Sequence, residues 1–252
     1  MDSIQSPLPA SVVEGGGFYS EDFETFSVGP LVPQGGWASQ FAANATVVDP
    51  GLSGSTRAAL HTSDGSAFAG FEMQSPSFGP EFGYIEMNQV LSGTTSLYQM
   101  VPLDENTGVF NTRINFEVDG SITVGQLDMS GSSLIFEPST GSWTPGTEST
   151  FGVEVTDAGE LFVYQDGTEI FAGTEVNFAL SGTPSPITAL WSWSDNAGGA
   201  TDTQTWDDID FSADAPLGLP ESQPVPVNNP WALGLLVLVL AGLGFVAVRR
   251  FA

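Results

Sequence analysis

The sequence has no cysteine and no lysine, a single histidine and only four basic residues, all arginine. Without cysteine there is no disulfide framework and no thiolate metal site. A Ser-His-Asp triad would have to be built on His61, which lies in an ordinary strand-like stretch with no nucleophile elbow beside it. Helical patterning is missing as well: no segment before residue 230 repeats its apolar residues with a 3.6 period. Cations are the scarcest resource. Arg249 and Arg250 lie at the very end, so 30 carboxylates are met before them by Arg57 and Arg113 alone. Such a surface repels phosphate backbones, which excludes nucleic acid as a partner.

What the sequence does have is 30 glycines, 17 prolines, 18 phenylalanines and 6 tryptophans. Between residues 18 and 211 short alternating runs are broken by Gly, Pro, Asn and Asp, the pattern of strands and turns. Strands are expected at residues 18–26, 45–48, 57–61, 83–91, 96–101, 112–118, 121–127, 151–156, 160–165, 168–172, 187–194 and 205–211. Asp119-Gly120 and Asp166-Gly167 separate alternating runs and read as hairpin turns, because a type I′ turn needs positive φ at both central positions. Turn signals at this spacing suit an antiparallel sandwich.

The chain is expected to divide into an irregular N-terminal segment (1–17), a β-sandwich domain (18–211), a linker with four prolines (212–229) and a tail (230–252). The tail run 231–248 contains only Trp, Ala, Leu, Gly, Val and Phe. As a helix it would span about 27 Å, the thickness of a bilayer's hydrocarbon core. Trp231 then marks the membrane boundary and Arg249-Arg250 the cytoplasmic side, so the β domain is expected outside the cytoplasm. Residues 1–17 have neither the basic nor the apolar region of a secretory signal, so the biological start is expected further upstream.

Two resemblances follow from these residues. The string Val225-Pro226-Val227-Asn228-Asn229-Pro230-Trp231-Ala232-Leu233, the apolar run and Arg249-Arg250 resemble the C-terminal sorting signals of Gram-negative bacteria, closest to the IPTL-CTERM relatives of PEP-CTERM. Val225 stands where that class has Ile, and Val227-Asn228 where it has Thr-Leu. The resemblance implies Pro226 as the motif proline, Trp231 as the boundary tryptophan, and Arg249 and Arg250 as the basic stop. It also implies recognition by an exosortase-type transpeptidase in the membrane. Composition alone gives a membrane anchor.

The domain itself resembles the concanavalin A-like (laminin G-like) jelly rolls. The residues that carry this are Asp22-Phe23-Glu24, Gly35-Gly36-Trp37, the run from Gly159 to Gly167, and Trp206-Asp207-Asp208-Ile209. In that family the first and last strands pair, which would bring the two acidic clusters together. The family also hosts glycoside hydrolases with a Glu-x-Asp-x-x-Glu strand. The nearest strings here, Glu21-Asp22-Phe23-Glu24 and Glu154-Val155-Thr156-Asp157, do not match it.

Two constellations remain. If strand alternation runs unbroken, Asp207 shares the inward face of Ile209 and Phe211, and a buried carboxylate needs a partner. A structural calcium ion held by Asp22, Glu24, Asp207 and Asp208 is one expectation, with a hydrogen-bonded acidic edge as its alternative. Asp195, Asn196 and Asp202 form a second candidate set. Trp191 and Trp193 share one face of a strand, either as a platform for sugar rings or as core filling. The reading at this level is an all-β jelly-roll sandwich with one C-terminal transmembrane helix. It would be a non-enzymatic protein of the bacterial cell envelope that binds glycan or extracellular matrix. The alternative is a polysaccharide-degrading enzyme, a hydrolase or lyase, of the same fold.

Overall fold

Strand-forming residues alternate in and out along nearly every run, and the computed structural model arranges them as two antiparallel sheets. The structure describes residues 18–39, 44–62, 73–76, 83–104, 109–127, 134–176, 178, 182–195 and 202–212. The chain separates into two units, Met1–Pro216 and Leu217–Ala252. The second unit, the transmembrane tail included, lies outside the described residues, as do residues 1–17. Among the described residues no helix is long and apolar enough to cross a membrane.

Along the first unit the strands are β1 (Phe18–Glu21), β2 (Gly29–Pro30), β3 (Ala45–Val48), β4 (Ala58–Thr62), β5 (Met73–Gln74), β6 (Tyr84–Leu91), β7 (Leu97–Asp104) and β8 (Val109–Phe110). They continue with β9 (Ile114–Phe116), β10 (Ser121–Leu127), β11 (Leu134–Ser142), β12 (Glu148–Val155), β13 (Glu160–Gln165), β14 (Thr168–Thr174), β15 (Ala189–Asp195) and β16 (Thr203–Ser212). One sheet has nine strands in the order β14-β13-β12-β6-β16-β4-β3-β2, with β1 also on β16. The other has seven, in the order β11-β10-β9-β7-β15-β5, with β8 on β7. First and last strands do pair, from Phe18 opposite Ser212 to Glu21 opposite Ile209.

The inner faces meet in one apolar core. Ile85, Met87, Phe151, Val153 and Phe211 come from the nine-stranded sheet, and Met100, Ile114, Phe116, Ile122 and Val124 from the seven-stranded one. Phe116 meets Phe151 across the gap, edge to face, with ring centroids 4.9 Å apart. At the end of the core where the chain begins, Phe23 lies 5.3 Å from Trp37, and Trp37 lies 6.5 Å from Trp206, centroid to centroid. Three of the four short motifs that suggested the jelly roll therefore meet in space. Gly35 allows this: it has φ +57, and any side chain there would strike the Phe26 ring.

Both Asp-Gly turns form, but only Asp166-Gly167 has positive φ at both central positions, +51 and +73; at Asp119-Gly120 only Gly120 is positive, at +86, so that turn is not of type I′. Three further expectations are corrected. The first strand stops at Glu21, because the chain turns through Phe23 at φ +56. Strand β11 was not anticipated, since Pro138 and Gly141 interrupt its pattern; it is an edge strand, where proline costs no ladder bond. Asp207 does not share the inward face of Ile209, because a bulge between Asp207 and Asp210, with Asp208 at φ +47, resets the phase of β16. Trp206, Ile209 and Phe211 point into the core, and Asp207 is buried on the other side of the strand.

Replacing Phe116 by Ala removes the central inter-sheet contact. The urea midpoint is expected to fall by the equivalent of about 3–5 kcal/mol. A loss below about 1 kcal/mol would show that the two sheets do not depend on this contact.

Candidate functional site

Two polar constellations stand outside the core, one on each sheet. The first surrounds β16. Asp207 is fully buried beneath the loop that joins β3 to β4: its Oδ2 accepts Leu52 N at 2.8 Å and the Ser55 hydroxyl, and its Oδ1 accepts its neighbour's Asp208 N at 3.0 Å. Glu24 accepts Thr56 N at 2.6 Å, Arg57 N at 3.1 Å and the Thr56 hydroxyl. These bonds lower its pKa, the Thr56 hydroxyl first. Glu148 accepts Ser53 N at 3.1 Å together with the Ser53 hydroxyl.

Burial pushes the Asp207 carboxyl up to about 6, against the pull of the Ser55 and Leu52 hydrogen bonds. Asp208 is also raised, first by burial and then by the like charges of Asp22, Glu148 and Glu24, while Asn88 Nδ2 donates to it at 3.0 Å. The four residues expected to share calcium thus lie in one acidic neighbourhood, and the acceptors of Asp207 are engaged by protein donors. Among the described residues no group of three or more His, Asp or Glu side chains converges in a metal-holding arrangement. Of the second candidate set, Asp202 accepts Thr95 N at 2.9 Å, and Asn196 lies outside the described residues.

The second constellation lies on the outer face of the seven-stranded sheet. Leu190 points into the core of β15, and Ser192 Oγ accepts Met73 N at 3.0 Å, so Trp191 and Trp193 face outward. They are not core filling. Strand pairing puts Trp193, Gln99 and Asn115 in one row, with Thr123 next on β10. A chain of hydrogen bonds runs along it: Gln99 Nε2 donates to Asn115 Oδ1 at 2.7 Å, and Asn115 Nδ2 to Glu117 Oε1 at 3.3 Å. Thr123 Oγ1 donates to the same Glu117 oxygen at 2.8 Å. The Arg113 guanidinium sits 5.4 Å from the ring centroid of Trp193. The floor of this face is buried, with Gln99 at 3 % and Asn115 at 5 % exposure, while Trp191, Trp193, Arg113 and Glu117 along it are partly exposed. A buried floor with open flanks makes a groove.

The residues that build this groove beside the tryptophans, namely Gln99, Arg113, Asn115 and Glu117, were not singled out from sequence. Their signal was present: in residues 112–118 the polar side chains alternate with Ile114 and Phe116. Only the register across β7 and β15 shows that they face the same way as the tryptophans. On the outer side of the nine-stranded sheet, Tyr84 and Tyr164 donate to Glu86 and Glu154 at 2.7 Å each.

No family model matches the chain, and no curated protein matches it. Solved structures match in fold. A sialidase superposes with TM-score 0.53 at 13% identity, covering 78% of this chain, although the chain spans only 18% of that enzyme. The Bacillus licheniformis beta-glucanase matches at TM-score 0.51 and 11% identity, over 79% of this chain and 99% of its own. The Crh5 transglycosylase in complex with NAG matches at TM-score 0.51 and 16% identity, over 79% and 85%. At these identities the likeness establishes the jelly-roll architecture. The expectation of a non-enzymatic glycan or matrix binder is corrected by these neighbours. The structures that match the domain over most of their own length include a glucanase and a transglycosylase.

The raised Asp207 pKa has a measurable sign. A carboxyl with a folded pKa above its unfolded value stabilises the fold below about pH 4, and that contribution is lost as pH rises through about 6. Between pH 4 and pH 7 the wild type is therefore expected to lose up to about 3 kcal/mol more than Asp207→Asn in urea titrations. Equal pH slopes for the two proteins would refute the burial of a titrating Asp207.

Proposed function

We propose that the β-sandwich is a polysaccharide-degrading enzyme whose substrate lies along the outer face of the seven-stranded sheet. The observation that carries this reading is the groove itself. Two outward tryptophans stand beside a hydrogen-bonded amide–carboxylate chain that ends on Glu117. Indole faces stack on the apolar faces of sugar rings, amides exchange hydrogen bonds with hydroxyls, and a carboxyl group can protonate a glycosidic oxygen.

Glycoside hydrolysis needs a second carboxylate. Asp195 closes β15 with its backbone opposite Leu97, and Glu117 follows the Phe116–Tyr98 pair by one residue, which sets it beside Leu97 on the other flank. Two strand spacings separate the backbones of Asp195 and Glu117 by about 10 Å. As a position across the sheet face from Glu117, Asp195 is the candidate for that second carboxylate. In this scheme Glu117 gives its proton to the leaving oxygen, a second carboxylate takes one from water, and the water oxygen bonds to the anomeric carbon as the glycosidic bond breaks. The glucanase and transglycosylase neighbours support testing β-glucans and chitin-derived polymers first.

The test is release of reducing ends from a polysaccharide panel by the full-length chain. Glu117→Gln is expected to lower kcat by about 10²–10⁴-fold while leaving the melting temperature near that of the wild type. Release that is unchanged by this substitution would overturn the assignment.

The setting we propose is the outer side of a bacterial membrane, reached through the tail. What supports it is the uninterrupted apolar run 231–248 followed by Arg249-Arg250, with Pro226 and Trp231 at the positions of a sorting motif. Replacing Pro226 and Trp231 together is expected to leave uncleaved precursor in the membrane fraction, and unchanged processing would refute a sorting role.

A further inference from the structure

A glutamate on the outer face of a sheet ordinarily swings free in water. Glu117 is held at both ends instead. Its backbone N–H donates to Ser121 O at 2.9 Å, and its carbonyl accepts the indole Nε1 of the buried Trp143 at 2.9 Å. Trp143 is anchored in turn, its own N–H donating to Gly120 O at 2.9 Å. At the carboxyl, two donors arrive on one oxygen. Thr123 Oγ1 donates to Oε1 at 2.8 Å from β10, and Asn115 Nδ2 donates to it at 3.3 Å from β9.

Chemistry sets the direction of this row. A carboxylate oxygen only accepts, so Asn115 turns its Nδ2 towards Glu117 and its Oδ1 away. That Oδ1 needs a donor, and Gln99 Nε2 supplies it at 2.7 Å from β7. Register places Gln99 opposite Asn115 and Asn115 opposite Thr123, so three strands bring their polar side chains to bear on one carboxyl.

We infer that Thr123 and Asn115 are positioning residues for Glu117, with Gln99 orienting Asn115, and that by holding Oε1 they leave Oε2 as the oxygen that carries the proton to the substrate. This rests on the reading of Glu117 as the acid. A protonated carboxyl donates from one oxygen alone, and with two donors aimed at Oε1 the proton belongs on Oε2. It passes from Oε2 to the glycosidic oxygen as the bond from that oxygen to the anomeric carbon breaks. The negative charge left on Glu117 spreads over both carboxyl oxygens, and the bonds from Thr123 and Asn115 strengthen as it appears. Donors already in place therefore gain more in the transition state than with substrate bound. An interaction of that kind raises kcat and leaves KM alone.

The experiment is steady-state kinetics of the full-length chain on mixed-linkage β-glucan and on chitin, at the pH of maximal release. Thr123→Val keeps the shape of the side chain and removes the hydroxyl. Its kcat is expected to fall about tenfold, with KM within about twofold of the wild type and the melting temperature within about 3 °C. Thr123→Ser returns the hydroxyl and is expected to restore kcat to within about threefold. Gln99→Met does not touch Glu117 but frees the Asn115 amide to turn, and should lower kcat several-fold. A Thr123→Val enzyme as fast as the wild type, a loss that Thr123→Ser shares, a loss that appears in KM, or one that follows a collapse in melting temperature would overturn the proposal. Its failure is separable from that of the enzyme reading. Release that Glu117→Gln abolishes and Thr123→Val leaves unchanged defeats the positioning alone. Cleavage of neither polymer, or cleavage that Glu117→Gln leaves intact, defeats the assignment of the acid and the positioning with it.

Discussion

The edge-to-face contact of Phe116 with Phe151 fixes more than the spacing of two sheets. A strand alternates strictly, so settling which residues meet in the core settles which residues are left outside. With Ile114 and Phe116 turned inward, Arg113, Asn115 and Glu117 must face outward. With Leu190 inward, Trp191 and Trp193 must do the same. The groove is the reverse side of the core. A one-residue slip of β9 would exchange the two faces and bury Glu117 among phenylalanines, where no cation is available to it.

The scarcity of cations shapes the other sheet. Carboxylates that folding draws out of water need donors, and here one loop supplies them. Between β3 and β4, Leu52 and Ser55 bind Asp207, Ser53 binds Glu148, and Thr56 with Arg57 N–H binds Glu24. Three acids from distant parts of the chain are tied down by backbone amides and hydroxyls within six consecutive residues. Neutral donors of this kind demand tighter geometry than a lysine, whose long stem can find a carboxylate from several directions. The bulge at Asp207–Asp208 provides part of that geometry, because it turns Asp207 away from the core and towards Leu52.

Much of this was legible in the sequence, for identifiable reasons. Asp119-Gly120 and Asp166-Gly167 mark their turns locally and both turns formed, although only Asp166-Gly167 takes positive φ at both positions. The motifs around Phe23, Trp37 and Trp206 pointed to a jelly roll, and they meet as an aromatic chain. Three things were not legible. The strand β11 tolerates Pro138 only because it is an edge, and edge position is a property of the assembled sheet. The bulge in β16 adds one residue to a run that reads as unbroken alternation, so Asp207 was assigned to the wrong face. The groove was half legible: Trp191 and Trp193 could be paired by spacing, but their partners Gln99 and Asn115 come from strands about 70 to 90 residues away in the chain. No local pattern carries that information.

A jelly roll by itself does not confer an activity, since the same architecture serves enzymes and binding proteins alike. The stronger argument lies in what the groove floor is made of. Val101 lies on the same outward face as Gln99 and is fully buried, which shows that an apolar residue is accommodated there. Gln99 and Asn115 are instead amides, with exposures of 3 % and 5 %. A buried amide stabilises a fold only to the extent that its hydrogen bonds are met, and the oxygen of Gln99 lacks a donor. Valine or leucine at these positions would serve the sheet better on both counts. Retaining a polar floor between a tryptophan and a carboxylate is a cost to stability that a ligand rich in hydroxyl groups would offset, and this makes the outer face of the seven-stranded sheet, more than the fold, the basis of the polysaccharide reading we propose.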